Sequence, residues 1–154
     1  MESKFWEYML LGKSFYRNCF DTVCKKHSLS RTELDVIVFL ADNPDSNTAT
    51  DITQKREIAK SNVSTAIRSL TEKKYIEGYY EGSNRRSVHL RLLDKCSPVI
   101  ADADAAKLKF HNAVFDGFND EELEQAVSFL FRLTDNINKA KKEYANKNNN
   151  TEEM

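Results

Sequence analysis

Within nine residues, Lys60, Ser61, Asn62, Ser64, Thr65 and Arg68 gather ammonium, hydroxyl, amide and guanidinium groups into one segment. These groups hydrogen-bond base edges in the major groove of DNA, Arg suiting guanine and Asn suiting adenine. On a helix they point outward near its N-terminal half, while Ile58, Val63, Ile67 and Leu70 supply an inner apolar face. A helix start with short polar side chains can approach a base pair closely, and its unpaired N–H groups favour a phosphate. A second group, Asn84, Arg85 and Arg86, lies in a polar connection between two apolar runs. An arginine near a hairpin tip can enter a narrow A·T-rich minor groove, drawn by its negative potential and without reading a base.

Such groups work only if their elements are held. Upstream of Lys60 a helix pattern from Asp51 ends in an abrupt polar turn. Downstream, Tyr75–Tyr80 and Val88–Leu92 read as two strands joined by the six residues Gly82–Ser87. Together these predict a helix-turn-helix followed by a wing. Before them, Phe5, Met9, Leu10, Phe15 or Tyr16, Phe20 and Val23 mark a first long helix, about residues 4–26. Ser30-x-x-Glu33 is a capping box opening a second helix with Leu34, Val36, Ile37, Val38 and Leu40. Asn47 or Thr48 opens the next one after the loop 42–47. After the wing, Val99–Phe115 is helical, and Asn119-x-x-Glu122 caps another helix bearing Leu123, Val127, Leu130, Leu133 and Ile137.

The winged lobe, about 30–93, accounts for less than half of the 154 residues. The flanking helices, about 4–26 and 95–145, therefore need another surface. Phe5, Trp6 and Tyr8 at one end, with Phe110, Phe115, Phe118, Phe129 and Phe131 at the other, are residue types that anchor interfaces. About half of them are expected in the chain's own core. A two-fold dimer would set two recognition helices about one DNA turn apart, roughly 34–36 Å, matching a pseudo-palindromic operator. The expected fold is mainly α with a small β-wing, a winged helix-turn-helix flanked by N- and C-terminal dimerisation helices. Residues 146–154 have no apolar face and are expected to form a disordered tail.

The run Thr50-Asp51-Ile52, Lys60-Ser61-Asn62-Val63-Ser64, Leu70, Lys73, Tyr75-Ile76 and Asn84 through Leu92 resembles the winged helix-turn-helix of MarR-type (multiple-antibiotic-resistance) regulators. Phe115–Glu122 is similar to the break between the last two helices of that family, so the resemblance covers about residues 5–145 of a single MarR-like domain 1–145. Three positions depart from the pattern. Asn84 stands where an Asp would pair with Arg86, Lys74 where a Gly would end the recognition helix, and Leu93 where a Thr would cap the helix after the wing. A Lys at 74 must adopt a left-handed backbone or let the helix end differently. With Leu93 unable to cap, Asp94 or Ser97 is expected to do so, with Pro98 in the first turn.

The resemblance implies a homodimeric, sequence-specific transcriptional regulator of double-stranded DNA, a repressor released by a small aromatic or phenolic effector. Its cleft would lie among the first helix, the second helix and the start of the helix after the wing, with Phe15, Tyr16, Cys19, Val36, Phe39 and Leu40 as candidate lining residues. The alternatives are a thiol- or metal-responsive sensor of the same type, or a dimeric helical adaptor without DNA binding.

Charge is segregated. The net charge is −1, but residues 48–93 carry nine Lys/Arg against five Asp/Glu, so a basic excess sits on the lobe expected to meet phosphate. With 4 Gly and 2 Pro, breakers are too few for a sheet-rich chain. No segment approaches the ~18–20 apolar residues of a membrane span, and the N-terminus lacks the apolar core of a signal peptide, so a cytoplasmic protein with no membrane partner is expected. Cys19, Cys24 and Cys96 form no CxxC, and Cys19 and Cys24 lie about 140° apart on one helix. His27, His89 and His111 fall in three elements without an i, i+4 partner. No metal and no cofactor are expected. Phosphate-loop, GxSxG and HExxH motifs are absent, and the acidic first turn at Glu121 and Glu122 complements a helix dipole, so the reading excludes an enzyme.

Overall fold

Ser30 and Glu33 form the expected capping box: the Ser30 hydroxyl accepts from the Glu33 N–H and the Glu33 carboxylate accepts from the Ser30 N–H. This box opens α2 (Arg31–Asp42) after a long α1 (Glu2–His27). The computed structural model describes the backbone of residues 2–82 and 84–151 and the side chains of 4–82 and 87–144. Of the two candidate caps for the next helix, Thr48 is used. Its hydroxyl accepts from the Asp51 N–H and the Asp51 carboxylate answers its own N–H, opening α3 (Ala49–Arg56). A three-residue turn follows, with Glu57 in the left-handed region at φ 53°, and then α4 (Lys60–Glu72).

Besides α3 with Glu57, two more helices end on left-handed residues that are not glycine. At α4, Lys74 has φ 62°, Tyr75 N–H bonds Leu70 C=O at 2.9 Å and Lys74 N–H bonds Thr71 C=O at 3.1 Å. This is a Schellman closure, so Lys74 takes the first of the two routes open to it. At α1, Ser28 has φ 53° and Leu29 N–H bonds Cys24 C=O at 2.9 Å. Leu93 precedes a short 3-10 turn, Asp94–Cys96, with no side-chain cap, and α5 (Ser97–Val114) grows directly out of that turn. The expected cap at Asp94 or Ser97 is unnecessary, because the 3-10 bond from Cys96 N–H to Leu93 C=O, 2.8 Å, supplies the initiating turn.

The wing is an antiparallel pair, β1 (Ile76–Glu81) and β2 (Asn84–Leu92), in register Ile76↔Leu92, Gly78↔Leu90 and Tyr79↔His89, with an irregularity between Tyr79 and Glu81. The connection is tighter than the six residues expected: the strand backbone resumes at Asn84, just after Gly82 at φ 54° and Ser83. Polar side chains from 84 to 87 resemble a loop in sequence, but ladder bonds come from the backbone and accept them. A Cβ at Gly78 would lie 2.8 Å from Val88 Cγ1, so any larger residue there would force the Val88 side chain to move.

The chain groups into two units, residues 1–111 and 112–154. In the first, α2 packs against both α1 and α4, and α3 packs against α4. Leu34, Val36, Ile37, Ile52, Val63 and Leu70 are completely buried there. Truncating one of the leucines to Ala should cost about 2–5 kcal/mol, by lost transfer energy and the cavity left behind. The second unit contains the end of α5 and α6 (Asp120–Thr151). Asn119 and Glu122 cap α6 reciprocally, each backbone N–H meeting the other side chain at 2.9 Å. The α6 backbone runs past residue 145 to Thr151, into the segment expected to be a disordered tail; residues 152–154 lie outside the described residues. Between 145 and 151 there is no Gly or Pro to stop it.

Candidate nucleic-acid interface

On α4 the division of faces is sharp. Val63, Ala66 and Leu70 are buried and Ile67 is half-buried against the core, as is Ile58 in the turn just before the helix, while Lys60, Ser61, Asn62, Ser64, Thr65 and Arg68 are all exposed. Ala66, not singled out in the sequence, completes the inner face with Val63 and Leu70 at i, i+3, i+7 spacing. The helix start is preceded by Ala59, and no side chain caps it. Its first N–H groups thus remain available to an outside acceptor such as a phosphate oxygen.

The wing is fastened to the loop before α3. Leu90 N–H bonds Asn47 C=O at 2.8 Å, and Thr48 bridges His89 as an isolated third-strand contact. Asn47 Nδ2 donates to the Tyr79 hydroxyl at 3.1 Å, while its Oδ1 lies 2.6 Å from His89 Nδ1. Because the amide's donor end faces Tyr79, Oδ1 must accept, so His89 carries its proton on Nδ1. Arg91 pairs with Glu77 across the strands at 2.6 Å and stacks over Tyr79. The backbones of Asn84, Arg85 and Arg86 belong to β2; their side chains lie outside the described residues.

Beneath α4 lies the carboxylate that also caps α2. Glu33 is 4% exposed. Its Oε2 accepts from Ser30 N–H at 2.6 Å, and its Oε1 accepts from the Ser69 hydroxyl at 2.6 Å and from Lys73 Nζ at 2.7 Å. Burial alone would raise its pKa, but the bonds from Lys73, Ser69 and Ser30 hold it below the usual glutamate range. Asp35 is the opposite case: burial pushes its carboxyl above the usual aspartate range despite Arg31 and Arg56 nearby.

The six residues expected around an effector cleft do not meet at one cavity. Val36 and Phe39 are core, at 0% and 1% exposure, and Phe15 packs on Phe110. Cys19 borders a cavity of about 240 Å³ between α1 and α5, and Leu40 one of about 270 Å³ beside the wing. Tyr16 borders a third, of about 350 Å³, with Lys13 and Arg17 of α1, Arg31 and Asp35 of α2, and Arg56 and Ile58 at the helix-turn-helix corner. Arg31 Nε bonds Asp35 at 3.1 Å and its guanidinium lies over the Phe20 and Tyr16 rings. Arg56 Nε is buried without a hydrogen-bond partner. Four cations against one carboxylate is an arrangement that sequence distance hid, since its members span residues 13 to 56.

Cysteines and histidines of the lobe and its flanking helices sit in structural contacts. Burial raises the thiol pKa of Cys24 and Cys96, and Cys96 Sγ donates to Tyr75 C=O at 3.0 Å. His27 is bonded to Asp102 at 2.6 Å. No three His, Cys, Asp or Glu side chains cluster for a metal among the described residues.

Residues 27–87 match the MarR family, a span that runs from the end of α1 to the distal half of the wing. This segment is similar to a MarR-type winged helix-turn-helix. The fold extends well beyond it. A crystal structure of a transcriptional regulator designated PA3341 superposes with a TM-score of 0.77 over 88% of this chain and 98% of its own, at 21% identity. A MarR family regulator from Listeria monocytogenes, complexed with a 26mer DNA, gives 0.75 over 86% and 87%, at 14% identity. The Staphylococcus aureus MarR in complex with salicylate and kanamycin gives 0.72 over 90% and 92%, also at 14%. The matched span carries all of α4 and the wing residues 84–86, so the elements expected to meet DNA lie inside it.

Proposed function

We propose that this chain is a homodimeric, sequence-specific DNA-binding transcriptional regulator, a repressor that occupies a promoter until a small ligand releases it. The observation that carries the reading is α4: six exposed side chains able to read or bind DNA stand opposite a buried apolar seam, behind an uncapped helix start. Lys60 and the helix start take phosphate, Ser61, Asn62, Ser64, Thr65 and Arg68 address base edges, and Arg86 of the wing enters the minor groove with Arg85 on or near a phosphate. Asn84 would support Arg86 by a hydrogen bond.

A second copy of the chain is the partner that the flanking helices favour. On α1, Phe5, Trp6, Tyr8, Met9, Leu10 and Leu11 are all more than 40% exposed, and on α6 so are Phe129, Leu130, Phe131, Leu133 and Ile137. Apolar surface on this scale marks an interaction site. Two copies related by a two-fold axis suit a pseudo-palindromic operator. No helix among the described residues is long and apolar enough to cross a membrane, in keeping with a cytoplasmic regulator.

The cavity of Lys13, Tyr16, Arg17, Arg31 and Arg56 is the best site for an effector. Its excess of cations beside an aromatic ring suits an aromatic acid or phenolate, the class to which the salicylate bound by the staphylococcal relative belongs. Arg56 and Ile58 sit at the corner between α3 and α4, so a ligand there acts directly on the pose of the recognition helix. The test is selection of bound duplexes from random DNA, followed by titration of the selected duplex with salicylate. Enrichment of a two-fold symmetric motif and its release by salicylate would support the reading, and no enrichment would refute it.

A further inference from the structure

We propose that Glu33 is the positioning residue that sets the register of the recognition helix, and so determines specificity rather than affinity. The inference rests on the reading of α4 as a DNA-reading helix. One carboxylate does two jobs here. Oε2 closes the capping box of α2 on Ser30, while Oε1, reaching 36 and 40 residues along the chain, holds Ser69 of α4 and Lys73 at its C-cap.

The apolar seam of Val63, Ala66 and Leu70 fixes how far α4 stands from the lobe's interior. Apolar contact is non-directional, however, and resists sliding or rotation poorly. Hydrogen bonds demand distance and angle, and these two are short and involve an ionised acceptor. They therefore fix the axial position of α4. Ser69 and Lys73 lie at i, i+4 on one edge of the helix, and the next residues up that edge are Thr65 and Asn62. Glu33, Ser69, Thr65 and Asn62 in fact line one shallow cleft of about 340 Å³ together with Ser30, Thr32 and Ala66. A shift of α4 at Glu33 thus moves the very side chains assigned to base edges.

The chemistry of the group also matters. Every partner of Glu33 is a donor, so an acceptor-only side chain satisfies all three. A Gln in its place presents an NH₂ either to the Ser30 N–H or to Ser69 and Lys73, and must break the cap or the tie. Pairing with Glu33 also engages the Lys73 ammonium, restraining it from serving as a sequence-blind phosphate contact.

The test compares Glu33→Gln, Ser69→Ala and Ser30→Ala in the full-length chain. Ser69→Ala removes the hydroxyl bond of the tie, leaving Lys73 as its one remaining anchor, and keeps the capping box intact; Ser30→Ala removes the hydroxyl of the cap and leaves both bonds of the tie. The readouts are melting temperature and the affinity ratio between the duplex selected by the unmodified protein and a scrambled duplex of equal length. The expected result is a loss of about tenfold or more in that ratio for Glu33→Gln and Ser69→Ala, about the loss of one good base contact, with binding to the scrambled duplex little changed. Ser30→Ala should lower the melting temperature while keeping the ratio, and Ser69→Ala combined with Glu33→Gln should lose little more than either alone. An unchanged ratio in Ser69→Ala, or an equal loss in Ser30→Ala, would overturn the proposal while leaving DNA binding by α4 untouched. Failure of the unmodified protein to prefer any sequence would overturn both.

Discussion

His89 and Asn47 are joined by a 2.6 Å hydrogen bond between Nδ1 and Oδ1, and through it the wing is tied to the loop that opens α3. The same asparagine amide donates to Tyr79 on the neighbouring strand. Asn47→Ala should therefore destabilise the protein by about 1–3 kcal/mol, since it leaves two half-buried polar groups short of a partner. Chemical denaturation of Asn47→Ala, His89→Ala and the double variant checks this. The two changes should be non-additive, and full additivity would show that the bond contributes nothing.

Wing and helix should fail differently when their arginines are removed. Arg86→Ala is expected to weaken binding to all sequences by a similar factor, because an arginine in a minor groove senses potential and width rather than base identity. Competition against random DNA at physiological salt measures it, and unchanged operator affinity would remove Arg86 from the interface.

Arg68→Ala is expected to relax preference at one position of each half-site, where a bidentate contact to guanine is worth roughly 1–3 kcal/mol of discrimination. Repeating the selection with the variant checks this. A uniform loss across sequences would move Arg68 to the phosphate-contacting class.

The sequence made the helices legible because their starts carry side-chain signals. Ser30, Thr48 and Asn119 each cap a helix with an acidic partner three residues on, and all three pairs form. Lengths were harder to read. Asn84 to Ser87 look like a loop by residue type but extend β2, and the helical backbone of α6 continues through a run of Asn and Lys. The outer face of α4 was visible from spacing alone, because exposure follows the helical period. The second role of Glu33 was not visible, because its partners lie far along the chain and a capping box already explained it. The cluster of Lys13, Arg17, Arg31 and Arg56 was hidden for the same reason.

Glu33 should also govern acid stability. Its folded-state pKa lies below the usual glutamate range, so its contribution is fully present above the ordinary glutamate pKa, about 4.3, and is lost as pH falls through the lower folded value. Melting temperature followed from pH 7 downward should fall less steeply in Glu33→Gln than in the unmodified protein, from a lower starting point. Parallel curves would show that Glu33 is not the group being titrated.

The intact chain is expected to sediment near 36 kDa, twice 17.8 kDa, at micromolar concentration. Replacing Trp6 and Leu10 together by Glu should shift it to a monomer or cause aggregation, because both side chains are more than 60% exposed on α1 alone. A stable monomer of the unmodified protein would remove the second copy from the proposal.

Two α4 helices, one from each copy, are expected to read the major groove one turn apart. Dimethyl sulfate footprinting on the selected duplex measures this directly, since the reagent attacks guanine N7 in that groove. Two clusters of protected guanines about 10–10.5 bp apart, with one guanine per cluster becoming reactive again in Arg68→Ala, are expected. A single cluster, or protection indifferent to Arg68, would contradict it.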